Sequence, residues 1–289
     1  MQAEAFVPGH ITGFFEVIRR NDPLRTGSRG CGVVLNKGAL TRIKADEAEH
    51  SSTEVYVNGD SCHCPVTRSV VEQIIRATGK NYRIRVDHFL GLPMKYGFGM
   101  SGAGALGTAL ALNKALSLGM RLNECGVVAH KAEVLNGTGL GDVIAELTGG
   151  LVLRTEPGAP GIGRVEKIPS DLDVVVYLIG DEVETKEVLR DREMVTRINA
   201  AGRKSYEAFL RDKTPRRFLE VSLRFARETG LINEKIYLAS KSLANYGVTA
   251  SMAMLGNALF TLTENPQEIL GVLDYPCFIA GIEKEGVKI

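Results

Sequence analysis

The chain has 289 residues, of which 35 are basic and 34 acidic, so its formal net charge is only +1. This balance excludes the basic surface of a nucleic-acid clamp, and a hydrophobic content of 44% excludes a disordered chain. Residues 248–263 are uncharged but fall short of the roughly 20 apolar residues that span a bilayer, so no membrane partner is expected. The N-terminus has no basic or apolar signal, and five cysteines are an odd number, so we predict a cytoplasmic protein with reduced thiols.

The first half of the chain reads as strands followed by helices rich in small residues. Asn58-Gly59 predicts a two-residue hairpin after a strand at 54–57, and Pro8-Gly9 predicts a turn after a strand at 5–7. Alternation over 82–89 predicts a strand with His88 on its apolar face. Further strands are predicted at 32–35 and 150–154, and helices at 66–77, 102–118, 123–135 and 143–147.

Residues 157–161, rich in proline and glycine, predict a boundary between an N-terminal lobe (1–155) and a C-terminal lobe (156–289). The second lobe opens with an apolar strand at 173–179. Strands followed by helices in each half predict a two-lobed α+β fold rather than a regular βαβ alternation. The helical patterns of the second lobe lie at 186–210, 215–229 and 236–244.

A glycine-rich segment, residues 92–104, lies between a predicted strand and a predicted helix. There, backbone N–H groups and the positive end of the helix can converge on a phosphate, and glycines let the anion reach the amides. A dinucleotide fingerprint, Gly97-x-Gly99-x-x-Gly102, is a weaker alternative because no strand with an acidic residue follows. A tight turn that only feeds a packed helix is the structural alternative.

Two carboxylates follow the glycine loop. Glu133 lies near the end of a predicted helix, and Asp142 follows across a loop with three glycines that can reverse the chain. Phosphoryl transfer needs one carboxylate to hold magnesium and another to position the attacking hydroxyl. In the structural alternative, Glu133 lies on a solvated helix face and Asp142 caps a helix.

These segments together resemble the GHMP kinases, the superfamily of galactokinase, homoserine kinase and mevalonate kinase. Residues 93–103 resemble its ATP loop, Pro8-Gly9-His10-Ile11 its first motif, and residues 129–142 its carboxylate pair. The resemblance covers most of the chain. It implies an N-terminal lobe like ribosomal protein S5 domain 2, a C-terminal α/β-sandwich lobe, and an active site in the cleft between them.

The resemblance also implies the cofactors ATP and Mg²⁺ and the roles of individual residues. Ser101 would contact the phosphates and the metal, Glu133 would bind the metal, and Asp142 would position the acceptor hydroxyl. All three are therefore candidate catalytic residues. The implied phosphate-binding residues are Pro93, Gly97, Gly99, Met100, Ser101, Gly102 and Ala103.

Within the family, residues 8–16 and 27–30 and the glycine loop are most similar to archaeal kinases of a small branched hydroxy acid. Such an acceptor needs donors for its carboxylate and apolar surface for its branch. Each candidate also has a structural alternative, such as a core histidine, a helix cap or an ion pair between Arg154 and Glu156. The candidates are His130, Arg154, Thr185, His10 and Arg29.

The sequence is also compatible with other functions. The acceptor can be another small alcohol, such as homoserine, shikimate or mevalonate, because loops diverge on a shared scaffold. A non-catalytic nucleotide-binding protein is a further alternative, and a nicotinamide dehydrogenase is the weakest. An exposed strand edge favours a homodimer.

The sequence departs from the family pattern in two places. Residues 247–257 carry methionines where glycines are common, so we expect this segment to pack over the first motif rather than to contact phosphate. His10 stands where several relatives carry lysine, so we expect it to line the cleft without a lysine-like catalytic role. Cys62-His63-Cys64 lacks the spacer of a zinc knuckle, and we expect no metal there.

Overall fold

The computed structural model of the chain describes residues 1–180 and 185–287, without the side chains of residues 185 and 186. The strands are β1 (Gln2–Ile18), β2 (Gly27–Glu47), β3 (Ser52–Val57), β4 (Asp60–Ser61), β5 (Tyr82–Leu90), β6 (Leu151–Glu156), β7 (Arg164–Ile168), β8 (Asp173–Leu178), β9 (Ser251–Met252), β10 (Ala258–Thr263) and β11 (Cys277–Ala280). The helices are α1 (Pro65–Thr78), α2 (Met100–Leu116), α3 (Leu122–Asn136), α4 (Asp142–Thr148), α5 (Thr185–Arg190), α6 (Arg192–Leu210), α7 (Pro215–Thr229), α8 (Glu234–Ala244) and α9 (Pro266–Ile269).

The strands form two sheets, one of seven strands and one of four, which gives the predicted α+β fold. In the larger sheet β1 runs antiparallel along the whole of β2, while β6 and β5 pair with the N-terminal and C-terminal parts of the other edge of β2. Helix α2 packs on β1 and β2 and contacts α1 and α3. The smaller sheet has the order β11-β8-β10-β9.

An aromatic cluster joins the two sheets. Phe14 on β1 contacts Phe209 on α6 and Phe218 on α7, and Phe218 contacts Phe260 on β10, with ring centroids 5.8 to 6.4 Å apart. All four side chains are fully buried. Since buried aromatic side chains contribute large apolar areas, this cluster fixes α6 and α7 between the sheets.

The expected elements of the first half are present, with one correction. Asn58 and Gly59 form the tight turn between β3 and β4 with positive φ angles, as predicted. Pro8-Gly9, however, is not a turn, because β1 continues through it with a shift of register between Pro8 and His10. Proline is tolerated at such a bulge since it needs no ladder hydrogen bond there.

The second half is more irregular than its pattern suggested. The helical run at 186–210 is two helices, because the side chain of Asp191 accepts hydrogen bonds from the amides of Glu193 and Met194 and starts α6. The lobe boundary predicted at residue 155 falls within the last residues of β6, and β6 pairs with the next strand, β7. The C-terminal segment also returns to β2, where Leu35 forms a bridge with Ile282. Within the described ranges, no helix has the length and apolar character to cross a membrane.

We predict that Gly202→Ala destabilises the fold. Gly202 on α6 faces the backbone of β1, where an added Cβ would overlap the carbonyl oxygen of Phe15. The free energy of unfolding should fall by about 1–3 kcal/mol, the usual cost of overpacking. Denaturant unfolding measures this change. The matched control is Gly104→Ala in α2, where the nearest atom, on the His88 ring, lies at an ordinary 3.4 Å; equal stability of both variants would contradict the prediction.

Candidate active site

A cavity of about 390 Å³ brings together residues from β1, the glycine loop, α3, α4 and β6. The glycine loop forms the middle of its wall and contributes Gly97, Gly99, Met100, Ser101 and Gly102. Pro93 and Ala103, also expected to bind phosphate, are absent from the described wall, and Ala103 is fully buried in α2. The predicted loop therefore lies at a cavity, although Pro93 and Ala103 do not line it.

The start of α2 has the backbone of an anion site. Gly97 (φ 87°) and Gly99 (φ 66°) adopt left-handed conformations that favour glycine, and Gly99 is the N-cap of α2. The first amides of a helix have no intrahelical partner, so those of Met100 and Ser101 can donate to an anion.

Ser101 and Glu133 are in direct contact. The Ser101 hydroxyl donates to Oε1 of Glu133 at 2.5 Å, and the Thr138 hydroxyl donates to the same oxygen at 2.9 Å. Burial raises the pKa of Glu133 to about 7, and the charge of Asp142 adds to this, while the two hydroxyl hydrogen bonds act against it. The pair offers a cation two oxygen ligands at the N-terminus of α2.

Asp142 is the first residue of α4 and is held by a buried histidine. Its Oδ1 lies 2.8 Å from Nδ1 of His10, and Nη1 of Arg154 lies 3.4 Å from the other ring nitrogen of His10. A carboxylate only accepts and a guanidinium only donates, so the imidazole is neutral with its proton on Nδ1. Burial lowers the pKa of His10, as the neutral form requires, and Arg154 lowers it further against the effect of Asp142.

The pKa values of Asp142 and Glu133 are shifted in opposite directions. Burial favours a higher pKa for Asp142, but the hydrogen bond from His10 and the charge of Arg154 outweigh it and lower this pKa. Glu133, by contrast, has a raised pKa. An added Cβ at Gly139 would contact the carboxylates of both residues, so this glycine leaves the space between them open.

Of the acceptor candidates, Arg154 and His10 lie at this site. Arg154 is 2% exposed and lines the cavity, and within the described chain its Nε has no hydrogen-bond partner. Its other donors make only long contacts of 3.4 and 3.5 Å. The alternative ion pair with Glu156 does not form, since Arg164 pairs with Glu156 instead.

The other candidates lie elsewhere. His130 is a satisfied core histidine whose Nε2 lies 3.0 Å from the carbonyl oxygen of Thr26, and Arg29 forms an ion pair with Glu16 and lies over the Tyr206 ring. Neither residue belongs to the described cavity wall. Thr185 begins α5, and its side chain lies outside the described residues.

The segment 247–257 packs over the first motif, as expected. The amide of Met254 donates to the carbonyl oxygen of Thr12 at 2.9 Å, and an added Cβ at Gly97 would contact Ala253 and Met254. Cys62 and Cys64 form a disulfide, which corrects the prediction of reduced thiols for this pair. The described residues contain no metal-binding cluster of three or more His, Cys, Asp or Glu.

Sequence reasoning missed Glu146, one turn after Asp142 on α4. It is fully buried, and neither carboxyl oxygen has a hydrogen-bond partner within residues 1–180 and 185–287. Its carboxyl group lies behind the glycine loop, 2.9 to 3.2 Å from where the Cβ atoms of Gly99 and Gly102 would be. Burial, and then the charges of Asp142 and Glu133, raise the pKa of Glu146 well above its ordinary value.

Several known proteins are similar to this chain in sequence and in fold. Residues 66–150 match the family model of the GHMP kinases N terminal domain. The pantoate kinase of Thermococcus kodakarensis is 35% identical, with 100% of this chain and 98% of that protein covered, and that of Methanocaldococcus jannaschii is 35% identical, with 94% and 97% covered. A solved phosphotransferase related to the CoA biosynthesis pathway has a TM-score of 0.89 at 33% identity, covering 100% of this chain and 98% of its own. The homoserine kinase of Cytophaga hutchinsonii, with 99% and 96% covered, shares the fold at a TM-score of 0.72 and 15% identity.

We predict that Glu146→Gln stabilises the protein relative to its parent, and that this gain in unfolding free energy grows as pH rises. The raised pKa of Glu146 means that above about pH 4.5 the unfolded chain loses a proton that the folded chain keeps, which favours unfolding. Glutamine has the same shape without this proton, so the variant should gain unfolding free energy relative to the parent protein between pH 5 and pH 8.

Denaturant unfolding of both proteins across this pH range measures the difference. Glu207→Gln, on an exposed position of α6, is the matched control and should show no such trend. A difference between Glu146→Gln and the parent protein that is independent of pH would contradict the prediction.

Proposed function

The chain belongs to the pantoate kinase family of the GHMP kinases, and we propose that it transfers the terminal phosphoryl group of ATP to the hydroxyl group of pantoate. The product is 4-phosphopantoate, and the reaction is a step of coenzyme A biosynthesis. The observation that carries this proposal is the order of groups along one cavity: helix amides at α2, the Ser101–Glu133 pair, Asp142, and then the buried guanidinium of Arg154.

ATP would lie with its phosphates at the N-terminus of α2. The amides of Met100 and Ser101 would donate to the phosphate oxygens, and the left-handed conformations of Gly97 and Gly99 lead the chain into this helix start. In loose phosphoryl-transfer transition states, most of the catalytic effect comes from positioning and charge stabilisation. The rigid start of a helix supplies both.

The residues present suit Mg²⁺ because they offer hard oxygen ligands. Glu133 and Ser101 would hold the ion, and Mg²⁺ would supply positive charge to the phosphate oxygens when bound. The raised pKa of Glu133 supports this assignment, since a buried carboxylate without a cation is costly and keeps its proton. Ligation to a cation favours its ionised form.

Asp142 would act on the acceptor hydroxyl. His10 occupies Oδ1, which leaves Oδ2 to accept the hydroxyl hydrogen bond. As the hydroxyl oxygen forms its bond to the terminal phosphorus and the bond to the ADP oxygen breaks, the hydroxyl proton passes to Asp142. The lowered pKa of Asp142 means that it orients the hydroxyl in the ground state and takes the proton late.

Arg154 would bind the acceptor carboxylate. Its unpaired Nε and its two long contacts leave donors for a carboxylate in a site shielded from water, where charge-assisted hydrogen bonds are strongest. Phe15, Leu140 and Leu189 line the same cavity and offer apolar surface to the two methyl groups of pantoate. A coupled ADP-release assay across pantoate, homoserine, mevalonate and shikimate tests the acceptor; equal or faster turnover of another alcohol would contradict the proposal.

We predict that Asp142→Asn lowers kcat by at least about 100-fold, the lower range of general acid–base contributions. The amide keeps the shape of the side chain but cannot accept the hydroxyl proton. Steady-state ADP release measures kcat, and denaturant unfolding checks the fold. Asp171→Asn, at an exposed ion pair with Lys284, is the control and should keep parental kcat. Near-parental turnover of Asp142→Asn would remove Asp142 from the reaction.

We predict that Arg154→Ala raises the KM of pantoate by about 10- to 100-fold, the value of a lost hydrogen bond to a charged group. The KM of ATP should change much less, because the phosphates lie at α2. Arg154→Lys should be intermediate, since it keeps the charge but loses the fork. Arg164→Ala on β7 removes an exposed ion pair and is the control. Equal effects on both substrates would exclude Arg154 from the acceptor site.

A further inference from the structure

The Cys62–Cys64 disulfide lies on the wall of the active-site cavity. It connects β4 to α1, and both cysteines are half-buried and line the cavity together with Val57, Pro65 and Leu90. The acceptor end of the cavity is built from other elements, β1, β6 and the start of α4. With phosphates at α2 between the two ends, the apolar end beside the disulfide is left for the nucleoside.

Cys64 is held in an unusual backbone conformation. Its φ of 37° lies in the left-handed region, which is costly for a residue with a Cβ, and it is the N-cap of α1 without a side-chain hydrogen bond to the described helix. Its neighbours are fixed by other contacts, since the amide of Cys62 donates to Val55 at 2.8 Å and Arg68 donates to the His63 carbonyl oxygen at 2.7 Å.

The disulfide therefore acts on local geometry more than on global stability. Cys62 and Cys64 are two residues apart, and cross-linking so short a loop removes little entropy from the unfolded chain. What the bond does is tie Cys64 to Cys62, which β3 anchors. Pro65, Val66 and Thr67, the first turn of α1, continue directly from this residue and form the cavity wall.

We propose that Cys62 and Cys64 form a thiol–disulfide exchange site that sets the affinity of the cavity for nucleotide. The inference rests on the proposed function, because it takes the nucleoside of ATP to occupy the end of the cavity that this pair lines. In the disulfide form the wall is ordered and the nucleotide binds more tightly. In the dithiol form Cys64 relaxes and the wall loosens.

The exchange needs a dithiol reductant. One thiolate of the reductant attacks Sγ of Cys62, the S–S bond breaks, and Sγ of Cys64 leaves as a thiolate. The position of Cys64 at the start of the 14-residue α1 favours this leaving group, because the positive end of a helix stabilises a thiolate. The second thiol of the reductant then displaces Cys62, so that the protein gains two electrons and two protons and the reductant leaves as a disulfide.

The acceptor end should not respond. Asp142, His10 and Arg154 have no hydrogen bond to the Cys62–Cys64 segment in the described structure. The first turn of α1 does couple to the nucleotide end, where Thr67 is 3.0 Å from Nε2 of the buried His88. Reduction should therefore change the KM of ATP and leave the KM of pantoate unchanged.

The experiment compares the full-length protein after treatment with an oxidised and with a reduced dithiol. Alkylation followed by mass spectrometry should find two fewer free thiols in the oxidised protein. On reduction, the KM of ATP should rise by about five- to ten-fold, a factor that release of one residue from a rare backbone conformation can produce. The KM of pantoate should stay constant, and re-oxidation should restore the KM of ATP.

Two variants make the result specific. The double variant Cys62→Ser/Cys64→Ser should show the higher KM of ATP in both treatments, and unfolding measurements check that it folds. Cys277→Ser, at a half-buried free cysteine on β11, should respond to reductant like the parent protein. Equal KM values of ATP in the two states, or five alkylated thiols after oxidation, would overturn the inference.

Binding of a non-hydrolysable ATP analogue in both redox states separates this inference from the proposed function. If affinity depends on redox state but pantoate is not phosphorylated, the proposed function fails and the exchange site stands. If pantoate is phosphorylated but analogue affinity is the same in both states, the exchange site fails alone. Absence of analogue binding in either state would overturn both.

Discussion

A neutral imidazole, buried between a carboxylate and a guanidinium, connects three elements at one end of the cavity. His10 on β1 donates to Asp142 on α4 and accepts from Arg154 on β6, so three elements distant in sequence depend on one side chain. Such a chain works only with the proton on Nδ1, which burial and Arg154 both favour. The interaction explains why a histidine serves in this position: the permanent charge that a lysine would bring is already present on Arg154, one ring away.

Burial affects three carboxylates of this region in different ways. Asp142 is ionised because His10 and Arg154 face it, Glu133 has a raised pKa with two hydroxyl donors, and Glu146 has a strongly raised pKa with no partner in the described chain. Separate environments of this kind let neighbouring acids take different roles. The arrangement suits a site that would receive both a cation and a triphosphate, because only one of the three acids is strongly held in its charged form.

Much of the fold followed from local pattern. The alternation of β5, the Asn58-Gly59 turn and the small-residue helix α2 were predicted because each depends on neighbours in the chain. The prediction failed at Pro8-Gly9, where pairing of β1 with β2 overrides the turn tendency of the dipeptide. It also missed the two-residue strand β9 and the strand β11, whose pairing partner β8 lies far away in sequence.

The sequence by itself determined the family, and it predicted the phosphate loop and the two carboxylates, because glycines and acids at short spacing carry that chemistry locally. Only the tertiary structure decided which cations and histidines serve the cavity. His130 and Arg154 are equally plausible in the sequence, yet one satisfies a backbone carbonyl in the core and the other keeps unpaired donors at the site. The burial of Glu146 was likewise beyond sequence reasoning, since it depends on elements that meet only in the folded chain, and the Cys62–Cys64 bond depends on the backbone conformation around Cys64.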